Sequence, residues 1–381
     1  MKVKGSILLL LFLSATLFGA DTNDYTAAAD YLESKNGNAM LVYENGERVF
    51  ERYLNGWKRD RGHRLASGTK SFTGALLAVA VDDKLLGFDE KVSDTITEWQ
   101  KDPQLAGITI RQLLSLTSGI DGGKIGVIPS YAEAVTSAER KRKPDVGFSY
   151  GPVPFQLFGE LLHRKLAKSE PAETVEAYMQ RKILEPIGCE PALWRKDEAG
   201  QLRLPSGAAF TALEWAAFGL LMVNRGKHGD RQIISEAALA ECWTGSKAKP
   251  NYGLGFWLSD KAGFELVMAA GMGKQKLFIV PSKKLLIVQF AEAKGYDQSK
   301  FLRLALGQDK DAAAPVAEAA EPADPERIPL WAKTRFNRFD KNKDGKVTAA
   351  EVPNAARLQS MDQNNNGSVD LTEYWSSLRS R

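Results

Sequence analysis

The chain has 381 residues, with 51 Lys and Arg against 47 Asp and Glu, a formal net charge of +4, and 44% hydrophobic residues. That size and apolar content support one sizeable domain with its own core plus a small second one, and they exclude a disordered chain. The mild positive charge is spread along the sequence, which argues against a nucleic-acid partner. Its densest run, Arg140-Lys141-Arg142-Lys143, reads as a solvated loop, with a role in drawing an anionic substrate to a cleft mouth as the alternative.

Residues 1–20 read as a signal peptide. Lys2 and Lys4 charge its start, residues 7–18 form an apolar run too short to span a bilayer, and Ala20 offers a cleavage position. The expectation is therefore an exported protein, periplasmic or secreted, and no other segment has the pattern of a membrane span. An amphipathic helix is expected over 24–34. The runs 40–44 and 48–53 flank Asn45-Gly46, a strong hairpin signal. Residues 65–245 read mostly as helix, strands return at 253–258, 264–269, 275–280 and 285–291, and a closing helix begins near 301.

Ser67-Gly68-Thr69-Lys70 opens a stretch, residues 72–81, that is apolar nearly all round and so belongs in a core. Residues three apart on a helix are neighbours, so the Lys70 amine meets the Ser67 hydroxyl. A serine needs an adjacent base to act as a nucleophile, and this spacing supplies one without a histidine. A second match, Ser246-Lys247-Ala248-Lys249, lies in a polar stretch before Pro250 and reads as a loop. No Gly-x-Ser-x-Gly elbow is present, and His63, His163 and His228 have no motif around them. Cys189 and Cys242 are the two cysteines; an exporting route permits a disulfide, and the sequence leaves their pairing open.

Residues 65–74 resemble the first motif of the serine β-lactamase and penicillin-binding-protein superfamily, closest to its class C β-lactamase and esterase-like branch. Residues 89–94 and 108–120 look like two further blocks. Phe148-Ser149-Tyr150-Gly151-Pro152, ahead of an apolar helix, is similar to the family's Tyr-x-Asn motif. Residues 252–257 and Ala270-Gly271-Met272-Gly273 fall where its last strand is expected. The resemblance covers about residues 25–307 in order. It implies an α/β fold, an antiparallel sheet flanked by helices and carrying a helical insertion, with the active site in the crevice between them. It also implies Ser67 as nucleophile, with Lys70 and Tyr150 sharing its proton. Lys70 is expected to lower the Tyr150 pKa, and Gly271 and Met272 are expected at the oxyanion site. Two departures stand out. Pro152 replaces the usual Asn and has no donor. Ala269-Ala270-Gly271 lacks the cation and hydroxyl that precede the family's glycine. Both point away from an efficient β-lactamase and towards an esterase or amidase acting on a small or peptide-like substrate, with no cofactor in the catalytic site.

Residues 308–326, rich in Ala, Pro and Glu, read as a linker. The remaining 327–381 read as a small all-α pair of EF-hands. Asp340, Asn342, Asp344, Lys346 (through its carbonyl), Thr348 and Glu351 hold the positions of a calcium loop, with Gly345 at the turn. Asp362, Asn364, Asn366, Ser368, Asp370 and Glu373 repeat the pattern around Gly367. Two Ca²⁺ ions are expected there. Val347 and Val369 are expected to pair across the loops, over a core of Phe336, Phe339, Tyr374 and Trp375. Two rival functions remain: a non-catalytic binding or sensor protein on a β-lactamase-like scaffold, and a calcium-dependent attachment module whose tail docks on a partner.

Overall fold

The computed structural model describes residues 25–260, 263–308, 336–337, 339–352, 358–359, 361–362 and 364–379. The expected signal peptide and all but Gln308 of the expected linker lie outside them. Helix α1 (Thr26–Ser34) leads into β1 (Gly37–Glu44) and β2 (Glu47–Tyr53). Asn45 and Gly46 join these strands with φ of 52° and 87°, the left-handed pair that a two-residue hairpin requires. The short strand β3 (His63–Arg64) precedes a 3-10 turn, Ala66–Thr69, and then α2 (Lys70–Asp82). The helical middle follows: α3 (Ile110–Leu114), α4 (Tyr131–Thr136), α5 (Val153–Leu166) and α6 (Val175–Met179). Strands β4 (Leu193–Trp194) and β5 (Ala208–Phe210), helix α7 (Ala212–Val223), the small hairpin β6 (Lys227–His228) and β7 (Arg231–Gln232), and α8 (Glu236–Cys242) complete it. The chain then returns to the sheet through β8 (Trp257–Ser259), β9 (Leu266–Gly271), β10 (Gln275–Val280) and β11 (Leu285–Ala291), and closes on α9 (Gln298–Ala305).

The main sheet is antiparallel, in the order β2-β1-β11-β10-β9-β8. Alternate side chains of a strand point to opposite faces, and this sheet buries both. Met40, Val42, Phe278 and Ile287 pack under α1 and α9, whereas Leu41, Leu277, Ile279 and Val288 face the larger core that contains α2 and α7. Every residue of α2 from Lys70 to Ala80 is buried, as the all-round apolar run requires. Phe72 anchors it by stacking on Phe218 and Phe210, with ring centroids 3.8 and 5.1 Å apart.

The expectation of a mostly helical middle holds, with two additions, the β6–β7 hairpin and a small sheet. Strands β3, β5 and β4 form a separate three-stranded sheet, Arg64 opposite Ala209 and Ala209 opposite Leu193. Its strands are too short for hydrophobic alternation to betray them. The Arg140–Lys143 run is a largely exposed loop, as expected, tied down at its start: Arg140 bridges Ile120, and the Lys141 and Arg142 N–H groups donate to the Gly119 carbonyl.

In the tail, β12 (Lys346–Thr348) and β13 (Ser368–Asp370) pair antiparallel with Val347 opposite Val369, and the helix Leu371–Arg379 follows. This two-stranded ladder corrects the all-α expectation. The two eighth loop positions are extended and apolar, and they satisfy each other's backbone. Phe336, Val347, Leu358, Met361, Val369 and Tyr374 make the small core with Phe339 at its edge; the side chain of Trp375 lies outside the described residues.

Candidate active site

The 3-10 turn sets the position of Ser67. Ala66 holds φ of 47°, a conformation that costs an L-residue energy. Thr69 fixes the turn by donating to the Ala66 carbonyl at 2.8 Å and accepting from the Ala208 N–H at 3.3 Å. In a 3-10 turn, side chains three apart eclipse, and Lys70 Nζ lies 3.3 Å from Ser67 Oγ. Lys70 also donates to the Pro205 carbonyl at 3.0 Å and has no carboxylate partner among the described residues. It is 3% exposed, and that burial pushes its pKa down to about 7. Removal from water disfavours the ammonium form.

Tyr150 completes the cluster. Its hydroxyl is close enough to the Ser67 and Trp257 side chains for both to favour its ionised form, and Lys70 Nζ lies 5.0 Å from its ring centroid. Phe148, Tyr252 and Trp257 pack around the ring. Tyr150 sits where the loop before α5 doubles back, and Gly151 is required there: a Cβ would fall 1.9 Å from the Gly122 carbonyl oxygen. One expectation is overturned. Lys70 does not lower the Tyr150 pKa; burial raises it, outweighing the two side chains that favour the phenolate. Lys70 is not among the groups that shift the Tyr150 pKa, and burial has drawn its own pKa down to about 7, so it is no longer a full charge near neutrality.

The end of β9 forms the opposite wall. Gly271 packs so closely on the nucleophile turn that a Cβ would lie 1.9 Å from the Leu65 carbonyl oxygen and 3.2 Å from the Gly68 nitrogen. Met272 follows at the cleft, 71% exposed. Ala269, where a family cation is expected, is fully buried in the main core. The second Ser-x-x-Lys is in a loop, where Ser246 Oγ accepts the Lys249 N–H at 3.0 Å and Lys249 Nζ lies over Phe148, 5.1 Å from its centroid.

A cleft of about 330 Å³ opens beside Ser67 and Lys70. Pro152 lines it, as do Ile125, Leu193 and Met272, each about half or more exposed. Sequence reasoning missed its charged lining: Arg64, Arg195 and Arg203, with Glu292. The Arg140–Lys143 run is not among the residues lining it. The signal was present in residues 193–204, where alternating residues flank Asp197-Glu198-Ala199-Gly200, a hairpin turn inside a segment that reads as helix. His63 is a packed residue. It stacks on Phe290, accepts from Asn38 Nδ2 at 3.0 Å and donates from Nδ1 to the Arg64 carbonyl at 3.0 Å; burial lowers its pKa. His228 is half-buried with a lowered pKa, and Cys189 and Cys242 are buried thiols that do not form a disulfide with each other; they donate to the Glu214 and Gly74 carbonyls.

In the tail, each loop winds around its own acids. Asp340 accepts from the Asp344 and Gly345 N–H groups, and Glu351 reaches back to those of Lys341, Asn342 and Thr348. Asp362 and Glu373 repeat this with Asn366, Gly367, Asn364 and Asp370. Gly345 and Gly367 hold φ of 83° and 81°. No three His, Cys, Asp or Glu side chains gather into a metal-holding group among the described residues. By loop position, the oxygens suited to calcium are the carboxylates with the Asn342, Asn364 and Asn366 amides and the carbonyls of Lys346 and Ser368, all hard donors.

Comparison with known proteins places this geometry. The Beta-lactamase family model matches residues 27–310, and an EF-hand model matches 332–352. A Bacteroides dorei DSM 17855 protein assigned as a beta-lactamase superposes with a TM-score of 0.62 at 21% identity, covering 73% of this chain and 94% of that one. A D-stereospecific amidohydrolase from Streptomyces sp. superposes with a TM-score of 0.55 at 17% identity, covering 74% and 97%. A curated relative, the probable fimbrial assembly protein FimD, serogroup H1, of Dichelobacter nodosus, is 28% identical over 130 residues, 31% of this chain. The match spans about a third of that relative's length, 33%. The chain belongs to the β-lactamase family and carries an EF-hand.

Proposed function

We propose that this member of the β-lactamase family is a serine hydrolase that cleaves an ester or amide through an acyl-enzyme on Ser67. The observation that carries the reading is the buried Lys70 amine, 3.3 Å from Ser67 Oγ with its pKa pushed down to about 7. A general base works best when its pKa lies near the operating pH. Neutral Lys70 takes the Ser67 proton as Oγ bonds to the substrate carbonyl carbon. The backbone N–H groups of Ser67 and Met272 face the developing oxyanion, brought together by the close packing of Gly271. Tyr150 remains a neutral hydroxyl, so it passes the proton on to the leaving group as the carbonyl reforms. Water then attacks the acyl-enzyme, giving its proton back through the same pair, and the acid is released.

Esters are the preferred class. Ala269 places a methyl group in the core where a cation would meet a drug carboxylate, and Pro152 offers no amide to the cleft. Residues 1–20 support export, and the two wound loops support two Ca²⁺ ions in a tail joined by the 308–326 linker, where the ions set the tail's structure and present it to a docking partner. The test is a labelling and turnover experiment on the purified chain. A fluorophosphonate probe should label Ser67, and short-chain p-nitrophenyl esters should be hydrolysed faster than cephalosporins. Labelling of another serine would overturn the mechanism, and faster cephalosporin turnover would overturn the preference. Binding of substrate-like ligands with no labelling at all would favour a sensor.

A further inference from the structure

Three arginines stand around the cleft beside Ser67, and they come from adjacent places in one small sheet. Arg64 ends β3 and lies in register with Ala209 and Leu193, all three lining the cleft. Arg195 follows β4, and its carbonyl accepts the Arg203 N–H at 2.9 Å. The neighbouring bridge pairs Lys196 with Leu202, so one step along the ladder sets Arg195 opposite Arg203. Trp194 is buried on the other face, packed edge-on to Phe72 and Phe210, which holds the hairpin so that Arg195 is exposed.

Like charges directly opposite each other in a sheet are destabilising. Natural sheets relieve such a pair with an acid, yet no carboxylate lies within ion-pair distance of Arg64, Arg195 or Arg203 among the described residues. The Nε of Arg203 is in addition shielded from solvent with no hydrogen-bond partner. Glu292 shares the cleft but lies towards His63, with 3.8 Å between Oε1 and Nε2.

We propose that the substrate carries a carboxylate, which the Arg64, Arg195 and Arg203 guanidiniums hold while Ser67 attacks a neighbouring ester or amide carbonyl. The inference rests on the serine-hydrolase reading and names its substrate class. Guanidinium donors are arranged as a planar fork that matches a carboxylate bidentately. A single negative charge suits a cleft that also holds Glu292, whereas a dianion would meet that acid. The partly exposed Ile125, Leu193 and Met272 leave an apolar rim for the rest of the molecule. The cation missing at Ala269 is thus replaced by cations from a different sheet.

The test compares kcat/KM for a p-nitrophenyl ester with a terminal carboxylate, the same ester capped as its methyl ester, and an equal-length phosphonate. The carboxylate should be preferred over the capped ester by about tenfold or more, the scale of one charge-assisted hydrogen bond. Arg195→Gln and Arg64→Gln should each reduce that ratio, mainly through KM, whereas Arg231→Gln on β7, away from the cleft, should leave it unchanged. A ratio near one, a ratio indifferent to both cleft variants, or a preference for the phosphonate would overturn the inference. Fluorophosphonate labelling separates the two readings. Labelled Ser67 with charge-blind turnover overturns the carboxylate alone, and absence of labelling overturns the hydrolase with it.

Discussion

The same tetrapeptide spacing occurs twice in this chain, and only one copy brings its hydroxyl and amine together. At Ser67–Lys70 the short turn feeds a buried helix, so the amine is stripped of water, faces no acid and lies against the hydroxyl. At Ser246–Lys249 the serine is occupied by a backbone N–H and the amine rests on the Phe148 and Trp257 rings. Spacing is common to both; desolvation belongs to one. The surroundings of a lysine decide its pKa, and for Lys70 they come from the buried helix behind it and the Pro205 carbonyl across from it.

The largest effect that could break this contrast is a pair of alanine substitutions. Ser67→Ala should lower ester turnover by about four orders of magnitude or more, as removal of a nucleophile does elsewhere, while Ser246→Ala should leave it within about twofold. Circular dichroism should confirm that both variants fold. Comparable losses from both would erase the distinction.

Next in size is the pH dependence. In the proposed mechanism the active form of Lys70 is the neutral amine, whose pKa burial pushes down to about 7. The acylation rate should therefore fall below that pH and rise through it to a plateau, measured with a neutral ester whose own charge does not change. A rate flat from pH 5 to 9 would mean that Lys70 is not the titrating base. The smallest effect concerns the tail. Titration of the full chain should find two Ca²⁺ sites by calorimetry, both lost in the double variant Glu351→Gln, Glu373→Gln. Chelation should alter the circular dichroism yet change ester turnover by less than about twofold, because none of the tail's ligands lines the cleft.

Much of this architecture is legible in the sequence because the features concerned are local. Asn45-Gly46 marks its hairpin by the φ values it alone accepts readily. The strands at 275–280 and 285–291 carry continuous apolar runs, since both faces of the sheet are buried. Two full calcium-loop patterns predict even the Val347–Val369 pairing. What escapes is long-range. The 257–259 strand begins later than expected because residues 252–256 turn back beneath α2, where Leu254 leaves no space for a Cβ on Gly74. Arg64 is far in sequence from Arg195 and Arg203, which share one short hairpin, and only the three-stranded sheet brings all three together. The direction of the Tyr150 shift was equally invisible, because it depends on how much protein surrounds the ring.

Ala66 has a consequence for how this chain could change over time. Its left-handed backbone would be more comfortable as glycine, relieving about 1 kcal/mol of steric cost. Yet glycine would widen the range of shapes open to the turn, and the hydroxyl that follows would spend less of its time against the amine. Selection for a sturdier fold and selection for a faster one pull this single position in opposite directions. Ala66→Gly is therefore expected to melt at a higher temperature and to turn over ester more slowly, which thermal melting and an ester assay would read.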